Sequence, residues 1–206
     1  MQVLESQHGL AHPLPQIAGE KIIALLPGSR KQEILKKLPE MLSVVSEFPQ
    51  YHFAIAQAPG LDDEWFASLV PSHKNVHIVK DNTYALLNHS VAAIVTSGTA
   101  TLETALFQVP EVVCYKGGKI SYLIAKQLIK VKYISLVNLI LDRLVVAELI
   151  QAEMNVDRVN VELKKVLEEG PYRNKMLADY QELKVKLGGG GASQRVAESI
   201  VNDLKK

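Results

Sequence analysis

Short apolar runs alternate with segments of helical spacing along the first half of the chain, from Lys21 to Tyr115. The apolar runs are typical of strands that are buried on both faces of a sheet. Between them, apolar residues recur every three or four positions, as in amphipathic helices. The alternation predicts an α/β fold, a Rossmann-like parallel sheet with helices on both faces. The predicted strands are KIIALL, YHFAIAQ, NVHIV, VAAIVT and EVVCY, and the predicted helices are KQEILKKLPEMLSVVSEF, LDDEWFASLV, TYALLNH and TATLETALFQ.

Beyond Tyr115 the pattern becomes helical, and GGGGAS then precedes a last helix that Ser193 can cap. Pro39 inside the first helical segment predicts a kink or a break there. Residues 1–20 have no clear period, so we interpret them as a linker or a remnant and residues 21–206 as one domain. The predicted C-terminal helices are KISYLIAKQLIKV, RLVVAELIQ, VDRVNVELKKVLEE and YRNKMLADYQELKVKL.

Composition narrows the classes of function. The formal net charge is +1 over 206 residues, so no strong global field attracts nucleic acid. The single cysteine, Cys114, excludes a disulfide within the chain and favours a reducing compartment. We expect no signal peptide and no membrane-spanning helix, which needs about 18 apolar residues. The six histidines lack metal-ligand spacing, so we predict neither a metal site nor a cofactor.

Two loops that follow predicted strands carry residues suited to a phosphorylated ligand. In PGSR, Gly28 permits close backbone approach, Ser29 offers a hydroxyl, and Arg30 offers a planar fork. In TSGT, the backbone N–H groups would lie at a helix N-terminus, where the helix dipole favours an anion. Ordinary helix capping explains each loop equally well when it is taken alone. Both, however, fall at the carboxyl ends of strands, where an open parallel sheet binds its ligands.

Glu103 follows the TSGT loop by about one helical turn. A carboxylate in a first turn complements the helix dipole, which is the purely structural explanation. The functional explanation is that it accepts hydrogen bonds from sugar hydroxyls, as acidic residues do in dinucleotide sites. The loops match neither the GxGxxG fingerprint of dehydrogenases nor a Walker loop with its lysine.

A basic stretch and an apolar stretch follow the sheet pattern. Residues 116–141 contain five lysines and no acidic residue, and their apolar positions form one helix face. Either this helix covers the sheet, or it lies on an anionic bilayer surface through Lys119, Lys126 and Lys130. Further along, Asn138 is a polar residue in an apolar run, so it is either a structural tie or a ligand contact.

Six motifs occur in order from about Lys21 to the C-terminus: LLPGSRKQEI, TSGTATLETAL, VVCYK, KYISLVNLI, RLVVAELIQ and GGGGASQRVAESI. Together they resemble the C-terminal half of lipid-A-disaccharide synthase. The resemblance implies one half of a GT-B fold, in an inverting glycosyltransferase whose Rossmann-like half binds the UDP part of the donor. The family transfers diacylglucosamine from UDP-2,3-diacylglucosamine to lipid X, which gives the β-1,6 disaccharide of lipid A in Gram-negative bacteria.

Donor-binding roles follow from the resemblance, motif by motif. The two loops would enclose the diphosphate, and the acidic residue of the second loop's helix would accept hydrogen bonds from ribose or sugar hydroxyls. The ISLVNLI and RLVVAELIQ stretches would complete the donor site. The residues that match are Gly28, Ser29, Arg30, Ser97, Gly98, Thr99, Glu103, Asn138, Arg143 and Glu148.

The sequence departs from the family pattern at several positions. Val137 and Ala147 stand where the family usually has proline, and Asp142 stands where it usually has glycine. We expect these departures to loosen the loop. The family's acceptor site and proposed catalytic Asp lie in its N-terminal half. The resemblance therefore implies that this chain is a fragment without a catalytic residue, inactive by itself.

Two classes of function remain open. The first is the donor-binding half of the synthase, which would be cytoplasmic and peripheral on the inner membrane of a Gram-negative bacterium. Its partners would be the UDP-linked donor, lipid X through the other half, and an anionic membrane. The second is a stand-alone nucleotide-sugar-binding module, or another GT-B enzyme such as a UDP-sugar 2-epimerase. In either class a surface that once faced another domain would favour a homo-oligomer.

Overall fold

A computed structural model describes Ile17, residues 19–117 and residues 132–188. Elements are numbered here in chain order over these residues. The strands are β1 (Ile22–Leu26), β2 (His52–Gln57), β3 (Val76–Lys80), β4 (Ser90–Thr96), β5 (Glu111–Tyr115) and β6 (Ala147–Ile150). The α-helices are α1 (Lys31–Leu42), α2 (Asp63–Ser68), α3 (Thr83–His89), α4 (Thr99–Leu106), α5 (Leu136–Leu141), α6 (Val156–Leu167) and α7 (Pro171–Lys186), with 3₁₀ turns at Val45–Glu47 and Gln151–Glu153.

The six strands form one parallel sheet in the order β3-β2-β1-β4-β5-β6. Leu25 pairs with Ile55 of β2 on one side and with Ile94 of β4 on the other, so β1 lies inside the sheet. The strand order reverses between β1 and β4, because the chain crosses from β3 to the far side of β1. Such a switch point opens a crevice at the carboxyl ends of the two strands.

Both faces of the sheet are covered, as the alternation of strand and helix predicts. Side chains of one strand alternate between two separate cores, since successive residues point to opposite faces. Ile23 and Leu25 belong to the larger core, together with residues of α1 and α6. Ala24 and Leu26 belong to the smaller core, together with Leu86 of α3 and its neighbour. The Rossmann-like architecture is therefore confirmed.

The first predicted helix is shorter than its pattern. α1 includes Pro39 and ends at Leu42, and a 3₁₀ turn at Val45–Glu47 takes up the rest of the predicted segment. Proline cannot donate the bond that the carbonyl of Leu35 would accept. Pro39 lies on the exposed side of α1, where water can satisfy that carbonyl, so the helix continues for one more turn.

The prediction of a helix at RLVVAELIQ is wrong. Ala147–Ile150 forms β6, which extends the sheet by pairing with β5 in the register Val113 to Glu148. A short apolar run fits a buried helix and a buried strand equally well. Here the strand forms because the segment can pair with the edge of β5. The helix of this region comes earlier, as α5, whose N-cap Ser135 accepts a hydrogen bond from the backbone N–H of Asn138.

Several predictions fall on residues outside the described part of the chain. They are the helix at KISYLIAKQLIKV with Lys119, Lys126 and Lys130, most of GGGGAS, and the cap at Ser193. Within the predicted linker, Ile17 is buried in the smaller core. None of the helices in the described ranges is long and apolar enough to cross a membrane.

Candidate functional site

The turn after β1 lies against the end of β4. Gly28 has a φ of +103°, a left-handed conformation that glycine adopts more readily than other residues. A Cβ atom at this position would be 3.2 Å from the Cγ2 atom of Thr96. Absence of a side chain at Gly28 therefore lets the PGSR and TSGT loops meet at the carboxyl edge of the sheet, across the switch point.

The N-terminus of α1 carries no side-chain cap. Arg30 occupies the N-cap position with extended backbone, and no side chain accepts from the first N–H groups of the helix. Ser29 is exposed and lies one residue before the cap position. The side chain of Arg30 is 82% exposed, and its guanidinium pairs with Glu33 at 3.0 Å. This end of α1 therefore presents free backbone donors next to an accessible cation, which suits an anion.

The N-terminus of α4 is also uncapped by any side chain. Gly98 is its N-cap, with a φ of +152°. Ser97 instead donates its hydroxyl to the carbonyl of Ile134 at 2.9 Å, and Thr99 is the exposed first residue of the helix. Neither the hydroxyl of Ser97 nor that of Thr99 therefore caps α4. Among the other helices, α2, α5 and α6 have a side-chain cap, whereas α3 and α7 have none. In α1 and α4 the third N–H group donates to the N-cap carbonyl, and no side chain accepts from the first two, so both helix ends favour an anion there.

Glu103 is half-buried, and its carboxylate makes no hydrogen bond or ion pair with any residue that the structure describes. Burial raises the pKa of this carboxyl above its ordinary value. It lies beyond the first turn of α4, which weakens the interpretation as a dipole complement. An unpaired carboxylate of this kind has free acceptor capacity for the hydroxyls of a sugar.

Tyr84 and Thr96 are candidate site residues that the sequence analysis missed. Burial and the nearby charge of Glu103 raise the pKa of Tyr84, whose ring stacks on Phe107 with centroids 5.2 Å apart. The hydroxyl of Thr96 is buried at the end of β4 and has no hydrogen-bond partner among the described residues. Only their positions in the sequence could have indicated these residues. Tyr84 lies in the first turn of the helix after β3, and Thr96 is the last residue of β4.

Asn138 and Glu148 form a buried network that holds the chain behind the TSGT loop. The amide nitrogen of Asn138 donates to the carbonyl of Val146 at 2.9 Å and to Glu148 at 2.8 Å. Its oxygen accepts from the N–H groups of Val145 and Val146, at 2.7 and 3.0 Å. All four hydrogen-bonding positions of this amide are therefore taken by protein groups, as in a structural tie.

The carboxylate of Glu148 accepts backbone N–H groups at the segment that Ser97 also contacts. Those donors are Ile134, at 2.9 Å to the nearer oxygen, and Ser135, at 2.9 Å. Since Ser97 donates to the carbonyl of Ile134, one chain of contacts runs from the TSGT loop to Asn138. The structure thus connects Asn138 and Glu148 to the crevice as supports. Their direct contact with a ligand stays a prediction.

Arg143 turns away from the two loops and toward α7. It donates to Asp179 at 2.9 Å and forms a two-pronged pair with Glu182, and these bonds raise its pKa above the ordinary value. The preceding residue, Asp142, has a φ of +49° and ends α5 in the left-handed conformation. Asp tolerates this conformation better than most residues, so the turn keeps its shape where the family pattern has glycine.

The described residues contain no cluster of three or more histidine, cysteine or acidic side chains placed to hold a metal ion. The groups present at the crevice are backbone donors and Arg30, which suit an anion, together with the carboxylate of Glu103, which can accept hydrogen bonds.

Solved structures with the same architecture include a rhamnosyltransferase and a UDP-GlcNAc 2-epimerase. The spinosyn rhamnosyltransferase SpnG aligns with a TM-score of 0.61 at 15% identity, over 92% of this chain and 47% of that one. The UDP-GlcNAc 2-epimerase from Neisseria meningitidis, solved with UDP-GlcNAc bound, aligns with a TM-score of 0.60 at 17% identity, over 98% of this chain and 50% of that one. At such low identity the likeness shows the fold, which is one half of the GT-B architecture.

Sequence comparison identifies the family. Residues 6–202 match the sequence profile described as Lipid-A-disaccharide synthetase. The lipid-A-disaccharide synthase of Geobacter sulfurreducens is 36% identical over 193 residues, which cover 91% of this chain and 50% of that protein. The lipid-A-disaccharide synthase of Myxococcus xanthus is 38% identical over 187 residues, which cover 88% of this chain and 49% of that protein. The chain therefore spans about half the length of these curated relatives, and it belongs to the lipid-A-disaccharide synthase family.

Proposed function

We propose that this chain is the donor-binding half of a lipid-A-disaccharide synthase, with the UDP diphosphate bound between the PGSR and TSGT loops. One observation carries the proposal: the N-termini of α1 and α4, which have no side-chain cap, both follow strands at the switch point, where a Cβ atom on Gly28 would lie 3.2 Å from Thr96. A diphosphate in this crevice receives backbone N–H donors from two helix ends. Arg30 supplies the charged fork beside it.

The sugar part of the ligand would lie beside Glu103 and Tyr84. Glu103 has unused acceptor capacity, and a nucleoside offers ribose hydroxyls as donors. The proposed donor is UDP-2,3-diacylglucosamine and the proposed acceptor is lipid X. The reaction is inverting transfer to the β-1,6 disaccharide.

A calorimetric titration with UDP, UMP and ADP tests this function. We expect UDP to bind more tightly than UMP, because the second phosphate reaches the second helix terminus, and ADP to bind more weakly than UDP. Equal affinity for UDP and UMP would contradict a diphosphate site. Absence of UDP binding by folded protein would refute the proposal.

The likeness to a UDP-GlcNAc 2-epimerase favours one alternative, an enzyme that acts on the nucleotide sugar itself. Incubating the chain with UDP-GlcNAc and following the configuration at C2 by NMR distinguishes the two. We expect no epimerisation, and we expect no disaccharide synthase activity from these 206 residues alone. The resemblance assigns the base that would deprotonate the acceptor to the other half of the family, and a sugar hydroxyl needs a positioned base. Turnover by protein free of contaminating synthase would refute that expectation.

Membrane contact is a further part of the proposal, because the proposed substrates carry acyl chains. In the described structure, Lys116 pairs with Glu40 and Lys132 pairs with Asp142, so two lysines of the basic stretch already have acidic partners. Adsorption would depend on the three that remain, at about 1 kcal/mol for each lysine near an anionic surface. We expect salt-sensitive co-sedimentation with anionic vesicles and little with neutral ones. Most of it should be lost when Lys119, Lys126 and Lys130 become Gln, and no effect of this change would refute the contact.

A further inference from the structure

Lys37 of α1 is a buried lysine at the carboxyl edge of the sheet. Its side chain is only 2% exposed, although lysine is rarely buried unless it is paired. Its ammonium lies 3.2 Å from Glu33 and 5.8 Å from the ring centre of Tyr115, which ends β5. Glu33 and Tyr115 lie within the motifs LLPGSRKQEI and VVCYK, but neither is among the residues given a donor-binding role above.

Glu33 connects this buried cation to the exposed one. One carboxylate oxygen accepts from Lys37, and the other accepts from Arg30 at 3.0 Å. The carboxylate also lies beside the PGSR turn, since a Cβ atom on Gly28 would be 3.5 Å from its Oε2 atom. Although burial raises the pKa of Glu33, the hydrogen bonds from Arg30 and Lys37 lower it below the ordinary value, so the group is charged at neutral pH.

A carboxylate in the first turn of α1 complements the helix dipole and is the counter-charge of the buried Lys37. It also lies within one side chain of a crevice suited to an anion, where a negative charge repels the ligand. The carboxylate therefore favours ligand binding only if it also acts on the cation beside it. It anchors Arg30, whose guanidinium is otherwise free in solvent. Lys37 balances the charge from the buried side.

We infer that Glu33, fixed by the buried ammonium of Lys37, is a positioning residue that holds Arg30 toward an anion bound over the PGSR loop. The inference rests on the proposed function for its natural ligand, a nucleoside diphosphate. It gives each of the three charged side chains a separate role. Lys37 sets the place of Glu33, Glu33 orients Arg30, and Arg30 contacts the phosphate.

The sign of one substitution separates this role from a purely electrostatic one. Removing the negative charge by Glu33→Gln strengthens anion binding if the carboxylate acts only through its field. It weakens binding if the carboxylate positions Arg30. We expect UDP affinity to fall about two- to fivefold, the range that exposed ion pairs contribute. Uridine affinity should stay unchanged, because uridine has no phosphate for Arg30 to reach.

The matched control is Glu40→Gln, which removes the same charge from the same helix at a residue that pairs with Lys116. It should leave UDP affinity unchanged or raise it slightly. In an Arg30→Ala background, Glu33→Gln should have no further effect, because the group through which it acts is gone. Glu33→Asp should restore part of the affinity if its shorter side chain still reaches Arg30.

Loss of fold could imitate loss of positioning, because Glu33→Gln leaves Lys37 buried without its counter-charge. The double variant Glu33→Gln/Lys37→Met removes both charges, so it should melt at a higher temperature than Glu33→Gln and still bind UDP as weakly. Full UDP affinity in this folded double variant would overturn the inference, as would unchanged or tighter binding by Glu33→Gln.

Two further measurements distinguish failure of the proposed function from failure of the inference about Glu33. They are the binding of inorganic pyrophosphate and the NMR relaxation of the Arg30 Nε nucleus in the ligand-free protein. If the wild type binds no UDP, the proposed function fails. The inference then stands only if Glu33→Gln weakens pyrophosphate binding and loosens the Arg30 guanidinium. No difference from the wild type in either measurement overturns it.

Discussion

Replacing Asn138 by alanine tests whether the buried amide is a structural tie. The change leaves the N–H groups of Val145 and Val146 buried without their acceptor. Each unsatisfied buried donor costs about 1–3 kcal/mol, so the two cost about 2–6 kcal/mol in total. The edge segment before β6 can partly relax toward water, so we expect about 3 kcal/mol. For a chain of this size that lowers the melting temperature by about 6–12 °C.

The assay is thermal unfolding combined with UDP calorimetry well below the melting temperature. Asn174→Ala is the control, because it removes the same amide from an exposed helical position and should change stability by no more than about 0.5 kcal/mol. A tie predicts a large loss of stability and a UDP affinity within about twofold of the wild type in the protein that remains folded. Unchanged melting together with loss of UDP binding would refute the reasoning and make Asn138 a ligand contact.

Three further predictions follow from the charges at and away from the crevice. Arg30→Ala should weaken UDP binding by about 1.5–3 kcal/mol, the range for hydrogen bonds to charged groups. The control Lys36→Ala, on the same helix, should leave UDP affinity unchanged. Equal calorimetric affinities of Arg30→Ala and the wild type would contradict the assignment of Arg30 to the phosphate site. Glu103→Gln should weaken UDP binding with little change in melting temperature, because its carboxylate has no partner to lose within the described structure; lower stability with full binding would show that its role is structural. Burial raises the pKa of Glu111 well above its ordinary value, so its contribution is fully present below about pH 4.3 and declines as pH rises toward the folded pKa. Melting curves from pH 4 to 8 should therefore show the stability of Glu111→Gln rising relative to that of the wild type as pH rises. A difference that stays constant over this pH range would refute the prediction.

The first five strands could be predicted because each is an apolar run bounded by a turn or a helix, and such signals are local. The two site loops followed from the same pattern, since their place at the carboxyl edge depends only on strand direction. β6 could not be separated from a helix, because its identity depends on pairing with β5, which lies more than thirty residues earlier.

The contacts of charged and polar residues were the least predictable part of the site. Glu33 and Lys37 have the spacing of an ordinary solvent-exposed helix pair, and only the packing of α1 on the sheet buries the lysine. Asn138 and Glu148 are ten positions apart, and their shared network forms only after β6 joins the sheet. The sequence left the roles of Asn138 open because its partners are set by tertiary structure.

Strand order also governs when the crevice can exist during synthesis of the chain. β1, β2 and β3 are neighbours in both sequence and space, so they can associate as soon as they leave the ribosome. The crevice needs β4, which inserts on the other side of β1 and closes a loop of more than sixty residues, an entropic cost that local contacts do not offset. A nascent chain that ends before α4 thus has the PGSR turn but not its opposite wall. Measuring nucleotide binding by ribosome-bound chains of increasing length would therefore show at which chain length β4 joins the sheet.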